Sequence, residues 1–341
     1  MNQASNMASI SSPDVSQMTN EPILKVEDLV VHFPMGGGLL GGAKRTVHAV
    51  NGVDLELKRG ECLGLVGESG CGKTTLALSL LGLQPPTGGR VTVDGHTVGA
   101  AGIDRKGWAR ITQMVFQDPY SSLNPRQSVR KTLEAPLRLH GITSSSEIEG
   151  RISQTLARVG LRPEHASRLP HEFSGGQRQR IGIARALILE PKLLILDEPV
   201  SALDVSIRAQ IINLLLDLKE TLGLSYVMIS HDLGVVEHMS DRVAVMYLGR
   251  IVETGTWQQI FSTPRHPYTR ALIAAIPDPS GRTRGTKITG DIPNPYDPPT
   301  GCGFHPRCPE AREICRAPPV PTLDALHPEH FVRCRRVAEL A

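Results

Sequence analysis

Residues 61–75 read ECLGLVGESGCGKTT. An apolar, strand-like run ends in glycines, and the helical pattern TTLALSLLGL begins at once. Within it, GESGCGKT (67–74) matches G-x-x-x-x-G-K-[ST] in the strand-then-helix context that a phosphate-binding loop requires. Glycines let backbone N–H groups curl around phosphate oxygens, and the helix start adds a favourable dipole. Gly67, Ser69, Gly70, Gly72, Lys73, Thr74 and Thr75 are therefore candidate nucleotide-binding residues, with Cys71 among them as a small residue in a free position. Lys73 is placed to reach the β- and γ-phosphates and the Thr74 hydroxyl to ligate Mg²⁺. An unliganded glycine-rich turn is the plainer alternative.

Outward from this loop, short β-rich runs alternate with helical patterns, which predicts an α/β fold with a mostly parallel sheet covered by helices. The polar residues at the ends of the runs are informative. QMVFQ (113–117) delivers Gln117, KLLILDEP (192–199) delivers Asp197 and Glu198, and SYVMISH (225–231) delivers His231. In open α/β sheets the carboxyl ends of the strands line the ligand crevice, so these ends are expected to converge with the glycine loop. Asp197 fits a magnesium-side acid, and Glu198 can orient and polarise an attacking water. A lone DEP is more often an exposed turn, and a lone Gln or His at a strand end is usually a satisfied polar group; the convergence gives them weight.

Between these runs lies HEFSGGQRQRIGIARALILEP (171–191), in which SGGQ opens a helix with an apolar face of Ile181, Ala184, Leu187 and Ile188. Ser174, Gly175, Gly176 and Gln177 thus form either a second anion-binding helix end or a simple N-cap.

The 341 residues suffice for one main domain and a smaller extension, because single cores usually stop growing near ~250 residues. A net charge of +3 without a polybasic block gives no sign of nucleic acid as a partner. The start, MNQASNMASISSPDVSQMTNEP, lacks the apolar segment of a secretory signal; it reads as a polar disordered tail over 1–20 and places the chain in the cytosol. Stretches such as IINLLL fall far short of the ~20 apolar residues of a membrane span, so any membrane served by this chain is crossed by another.

Together these residues resemble the nucleotide-binding subunits of ABC transporters. FSGGQ (173–177) is similar to their signature motif and SALD (201–204), with Ser201 and Asp204, to their D-loop; Gln117 matches the Q-loop and His231 the switch histidine. The resemblance spans residues 23–341 and implies a P-loop ATPase core at 21–260, with an antiparallel β subdomain, a helical subdomain at 118–180, and a C-terminal extension at 261–341. It implies ATP as ligand, Mg²⁺ held through Thr74, Gln117 and Asp197, and Lys73, Glu198 and His231 as catalytic. It implies two such domains packed head to tail, so that Ser174–Gln177 serve the partner's ATP. The adenine-stacking aromatic maps to Phe33, which a core or hairpin role would also explain.

VFQDPYSSLNPR (115–126), HPYTRALIAAIPDP and GDIPNPYDPPTGCGFHPRCP resemble the di- and oligopeptide importers, and YSSLNPR the second of their paired ATPases. Nickel and glutathione importers share much of this pattern. The implied partners are a homologous ATPase, two transmembrane permease subunits and an extracytoplasmic solute-binding protein, at the cytoplasmic face of the membrane. A soluble ABC ATPase of translation or DNA repair and a redox- or metal-responsive regulator are the rivals.

Four of the six cysteines, Cys302, Cys308, Cys315 and Cys334, fall in the Pro-rich C-terminal segment with spacing C-x5-C-x6-C-x18-C. A reducing cytosol disfavours disulfides there, and four thiols make one full set of cluster or metal ligands. Buried unligated cysteines and a Zn²⁺ site using His305, His327 or His330 remain alternatives. Resemblance to the cluster-bearing tails of peptide importers favours a 4Fe-4S cluster, expected to pin residues 290–341 into a compact appendage away from the ATP site, with a structural or redox-sensing role and none in hydrolysis.

Overall fold

The computed structural model describes residues 21–35, 45–99, 103–118, 122–276 and 289–340. The tail expected over 1–20, the glycine-rich insert at 36–42, Tyr120 and Ser121 of YSSLNPR, and the PDP of 277–279 lie outside the described residues.

Among the described residues the strands are β1 (Leu24–Met35), β2 (Arg45–Leu57), β3 (Cys62–Val66), β4 (Gly88–Val93), β5 (His96–Thr97), β6 (Thr112–Val115), β7 (Leu193–Asp197), β8 (Ser225–Ile229), β9 (Arg242–Tyr247), β10 (Arg250–Thr256), β11 (Asp324–His327) and β12 (His330–Val332). They form two sheets. The larger has the order β11-β12-β10-β9-β3-β8-β7-β6 and the smaller β2-β1-β4-β5. In the larger sheet β9, β3, β8, β7 and β6 run parallel, and β10, β12 and β11 continue it antiparallel.

Strands β3 and β8 are buried at every position, which is why they read as continuous apolar runs rather than alternating ones. The period of two still sorts their faces. Leu63, Leu65, Ile195 and Val227 pack with β1, β2 and β4 and with the helix Lys73–Leu80; Cys62, Leu194, Leu196, Tyr226 and Met228 face the opposite core. That second core is shared with the helices Val129–Leu139, Ser145–Arg158 and Gly175–Leu187, which present Leu133, Leu137, Ile148, Ile152 and Ile181. Ser128, Ser144 and Ser174 cap these helices, each hydroxyl accepting from an N–H in the first turn.

The C-terminal extension expected at 261–341 contributes β11 and β12 to the same large sheet. β12 pairs with β10 through Glu253↔Val332 and Thr254↔Phe331. Beneath this join Glu253, which has no exposed surface, accepts from the Arg265 N–H (2.7 Å), the His266 N–H (2.9 Å) and His330 Nε2 (2.8 Å). Three donors satisfy a carboxylate that burial would otherwise make costly.

Candidate functional site

Strands β3, β8, β7 and β6 are neighbours, so their carboxyl ends open together onto one cleft of about 700 Å³. The glycine loop lines its floor through Gly67, Ser69, Gly70, Gly72, Lys73, Thr74 and Thr75. Gly67, Gly70 and Gly72 have φ of 155°, 78° and 109°. A Cβ on Gly67 would stand 2.2 Å from the Met246 carbonyl oxygen, and one on Gly72 2.2 Å from that of Ala49. Backbone on both sides therefore dictates glycine at these two positions. Lys73 opens the helix Lys73–Leu80 and folds back over the loop, its Nζ donating to the carbonyls of Gly67 (2.7 Å) and Glu68 (2.9 Å). Cys71 does not line the cleft: its side chain is buried beneath the loop, where burial pushes its thiol pKa up.

The opposite wall holds Gln117, Asp197, Glu198 and His231. Glu198 has φ of 47°, unusual for a non-glycine residue, and its N–H donates to the Ile229 carbonyl (2.8 Å). This backbone turn aims the carboxylate across the strand ends, where Oε2 accepts from Gln117 Nε2 (2.6 Å) and Oε1 from His231 Nδ1 (2.9 Å). Three strand ends far apart in sequence thus meet on one carboxylate. Asp197 has a raised pKa, first from burial and then from the neighbouring Glu198, with Lys73 acting against both. Asp197 and the Thr74 hydroxyl at the helix start both line the cleft and offer oxygen donors of the kind Mg²⁺ takes.

Phe33, His48, Leu248 and Pro295 also line the cleft. The last three carry no motif that singles them out in the sequence. Pro295 belongs to the C-terminal segment, and its carbonyl accepts from the His48 N–H (3.1 Å). Ser174, Gly175, Gly176 and Gln177 do not line this cleft. They start the helix Gly175–Leu187 with a reciprocal capping box: Ser174 Oγ accepts from the Gln177 N–H and Gln177 Oε1 from the Ser174 N–H. Ser201 Oγ donates to the Glu198 carbonyl (3.1 Å), and Asp204 is the N-cap of the helix Val205–Leu222 without a side-chain cap bond.

Cys302, Cys308, Cys315 and Cys334 are free thiols lining one small cavity with His305, His266 and Glu310. Burial raises the pKa of Cys302 to about 11, and the other three sulfurs add to the rise. Among the described residues no group of three or more His, Cys, Asp or Glu side chains is arranged to hold a metal ion. Two histidines that could substitute for a thiolate ligand are elsewhere: His327 lies on β11 and does not line the cavity, and His330 is committed to Glu253.

The cysteine-bearing segment is not remote from the phosphate loop, contrary to the expectation of a compact appendage away from the ATP site. Arg307, between Cys302 and Cys308, donates from Nη1 (2.6 Å) and Nη2 (3.0 Å) to the two oxygens of Glu68, the second residue of the loop. The Tyr268 hydroxyl accepts from the Glu68 N–H (2.9 Å). Sequence patterns carry no signal for pairing across 239 residues.

A glycine-rich phosphate cradle at the strand ends, faced by a carboxylate pair, glutamine and histidine, defines a P-loop ATPase. The ABC transporter family pattern matches residues 50–201, and the pattern of the oligopeptide/dipeptide transporter C-terminal region matches 252–315. The oligopeptide transport ATP-binding protein AppF of Bacillus subtilis is 47% identical over 322 residues, covering 92% of this chain and 97% of that protein. The dipeptide transport ATP-binding protein DppF of Escherichia coli is 50% identical over 295 residues, covering 84% and 87%. The structure of cbiO1 from Clostridium perfringens, part of an ABC transporter complex, superposes with a TM-score of 0.61 at 31% identity, covering 72% of this chain and 92% of that one. The chain belongs to the ATP-binding proteins of the oligopeptide/dipeptide ABC transporters.

Proposed function

We propose that this chain is the ATP-hydrolysing subunit of a membrane importer for di- or oligopeptides. The observation that carries the hydrolytic reading is Glu198, aimed into the cleft and held by Gln117 and His231. In this reading Lys73 leaves the Gly67 and Glu68 carbonyls for the β- and γ-phosphates, and the loop N–H groups cradle the remaining phosphate oxygens. Glu198 orients and polarises the attacking water, His231 and Gln117 position Glu198, and Phe33 stacks on the adenine. Thr74, Asp197 and Gln117 would hold Mg²⁺, which when bound neutralises charge on the phosphates. Ser174–Gln177, absent from this cleft, serve the ATP of a companion ATPase, with Ser201 and Asp204 at the shared face. The companion is a homologous, non-identical chain, so substituting Ser174 impairs hydrolysis of ATP bound to it; a functional complex with two copies of this chain and no second ATPase would contradict that.

Exposed Leu83, Phe116 and Leu139 line one groove between the helix Val129–Leu139 and the edge strand β6, a seat for a cytoplasmic helix of a permease subunit. No helix among the described residues is long and apolar enough to cross a membrane, so two permease chains would carry the span, with an extracytoplasmic binding protein selecting the solute. The chain would then sit at the cytoplasmic face. Uptake of nickel or glutathione is the second reading, distinguished by transport assays; co-purification with permeases separates both from a soluble ATPase.

The four cysteines would hold a 4Fe-4S cluster, with Zn²⁺ as the alternative. What supports this is the lining of one small cavity by four free thiols, which would have to draw together from their positions here to ligate it. Protein purified anaerobically is then brown with about four irons per chain; colourless protein with stoichiometric zinc replaces the cluster, and metal-free folded protein indifferent to Cys302→Ser removes both.

The decisive test of the ATPase reading is Glu198→Gln, which keeps shape and removes charge. Nucleotide binding persists, turnover stops and an ATP-bound dimer accumulates; Lys73→Ala instead weakens binding. Hydrolysis at the unaltered rate by the Glu198→Gln protein would overturn the role of Glu198.

A further inference from the structure

Glu68 occupies a free position of the phosphate loop and does not line the nucleotide cleft. Two residues from beyond residue 261 nonetheless fix its N–H and its carboxylate, while its carbonyl is held within the loop. The main-chain N–H is held by the Tyr268 hydroxyl and the carboxylate by the fork of Arg307. Arg307 has a 6% exposed side chain against 24% for Glu68, so this is a largely desolvated, bidentate pair. Tyr247 completes the clamp: its hydroxyl accepts from Arg307 Nη1 (3.3 Å) and its ring lies under the guanidinium. The hydrogen bonds to Glu68 and Tyr247 together raise the Arg307 pKa, which agrees with a permanently charged clamp.

The other end of the clamp is the cysteine site. Arg307 sits in a tight turn whose N–H donates to the Phe304 carbonyl, while the Cys308 N–H donates to that of His305 and the Cys302 N–H to that of Cys315. Cys302 and Cys308 bracket the turn and both face the four-thiol cavity. A change in that cavity that moves either sulfur moves the turn, and the turn carries the group that holds Glu68. Glu68 in turn supplies one of the two carbonyls that Lys73 rests on.

We propose that Arg307 is a positioning residue for the phosphate loop, and that through it ATP affinity and the state of the four-thiol cavity are coupled. The proposal rests on this cleft being the ATP site, but on no particular occupant of the cavity. Linkage makes the coupling reciprocal: whatever the cavity does to nucleotide affinity, nucleotide does to the cavity.

The test uses the full chain with its companion subunit, a fluorescent ATP analogue with Mg²⁺, and bimane labelling of the thiols in protein stripped of metal. Arg307→Gln and Tyr268→Phe each release one end of Glu68, and Tyr268→Phe keeps the buried ring. Both variants should raise the Kd of the analogue by about fivefold or more, with kcat at saturating ATP changed much less, and Arg307→Lys should recover part of the loss. The Arg307→Gln, Glu68→Gln double variant should be no worse than either single one. Saturating nucleotide should slow bimane labelling of Cys302 and Cys308 in the unsubstituted protein and have no such effect in Arg307→Gln. Lowered melting temperatures with unaltered Kd would make Arg307 a structural staple and overturn the proposal. So would labelling rates indifferent to nucleotide. Failure of the unsubstituted protein to bind the analogue at all would instead refute the ATPase reading beneath it.

Discussion

Replacing Glu253 by Gln tests whether the C-terminal strand pair belongs to the ATPase core or merely rests on it. One oxygen of Glu253 accepts from Arg265 N–H and His330 Nε2 and the other from His266 N–H. A glutamine can keep only one acceptor; with its oxygen facing Arg265 and His330, its amide N–H groups confront the His266 N–H. The change therefore weakens two hydrogen bonds from charge-assisted to neutral and leaves one buried donor opposite another, and the sum is about 2–4 kcal/mol. Breaking the exposed pair between Lys58, just after β2, and Glu329, in the turn between β11 and β12, with Lys58→Ala is the surface control and should change nothing measurable. Equilibrium urea unfolding gives the total loss, and amide exchange of Phe331 and Val332 shows whether β12 opens with the sheet or before it. A loss below about 1 kcal/mol in Glu253→Gln would show that these hydrogen bonds do not join the two parts.

Gly72→Ala places a Cβ against a backbone oxygen at positive φ, so the loop must shift; nucleotide affinity should fall by about a hundredfold, measured by analogue titration, with the circular dichroism of the fold retained. His266 has its pKa lowered to about 4, chiefly by burial, against Glu253, which raises it, and with Arg270 and Arg333, which lower it further. The unfolded chain takes up that proton near pH 6.5, so the contribution is complete above 6.5 and lost as pH falls from there toward 4; urea melts should show a shallower acid limb in His266→Asn, by about 1.4 kcal/mol per pH unit at most. Leu133→Ala, at a position with no exposed surface in the helical layer, should cost about 2–5 kcal/mol in the same melts.

The half of the cleft built from strand ends is legible because it is written locally. GESGCGKT, LLILDEP and SYVMISH each contain an apolar strand and the polar group it delivers, and the strand-end rule brings them together without knowledge of the fold. Motif spacing groups Cys71 with the cleft, because it shows that a residue stands in the loop but not that its side chain turns inward beneath Lys73. The C-terminal contributions leave no such trace. HFV is too short to show periodicity, which hides the pairing of β12 with β10 and with it the continuity of the sheet. Arg307 stands among cysteines whose pattern invites a separate metal-site reading, and nothing local announces that its charge faces Glu68. Pro295 lines the cleft with its carbonyl accepting from the His48 N–H on β2, a pairing that no local pattern announces.

The join between β10 and β12 also bears on how the chain acquires its structure. β10 already has β9 on one side, contributed by the residues just before it, but its other side stays unpaired until residues 330–332 have been made. During synthesis the growing protein therefore carries an open sheet edge for the time needed to add roughly seventy residues, about 4–15 s at ordinary elongation rates. An open edge is a template for another chain, and the ribosomes of one message hold many copies of it close together. Release of a chain stopped before β12 should yield a protein that aggregates even though every residue of its ATP cleft up to His231 is present.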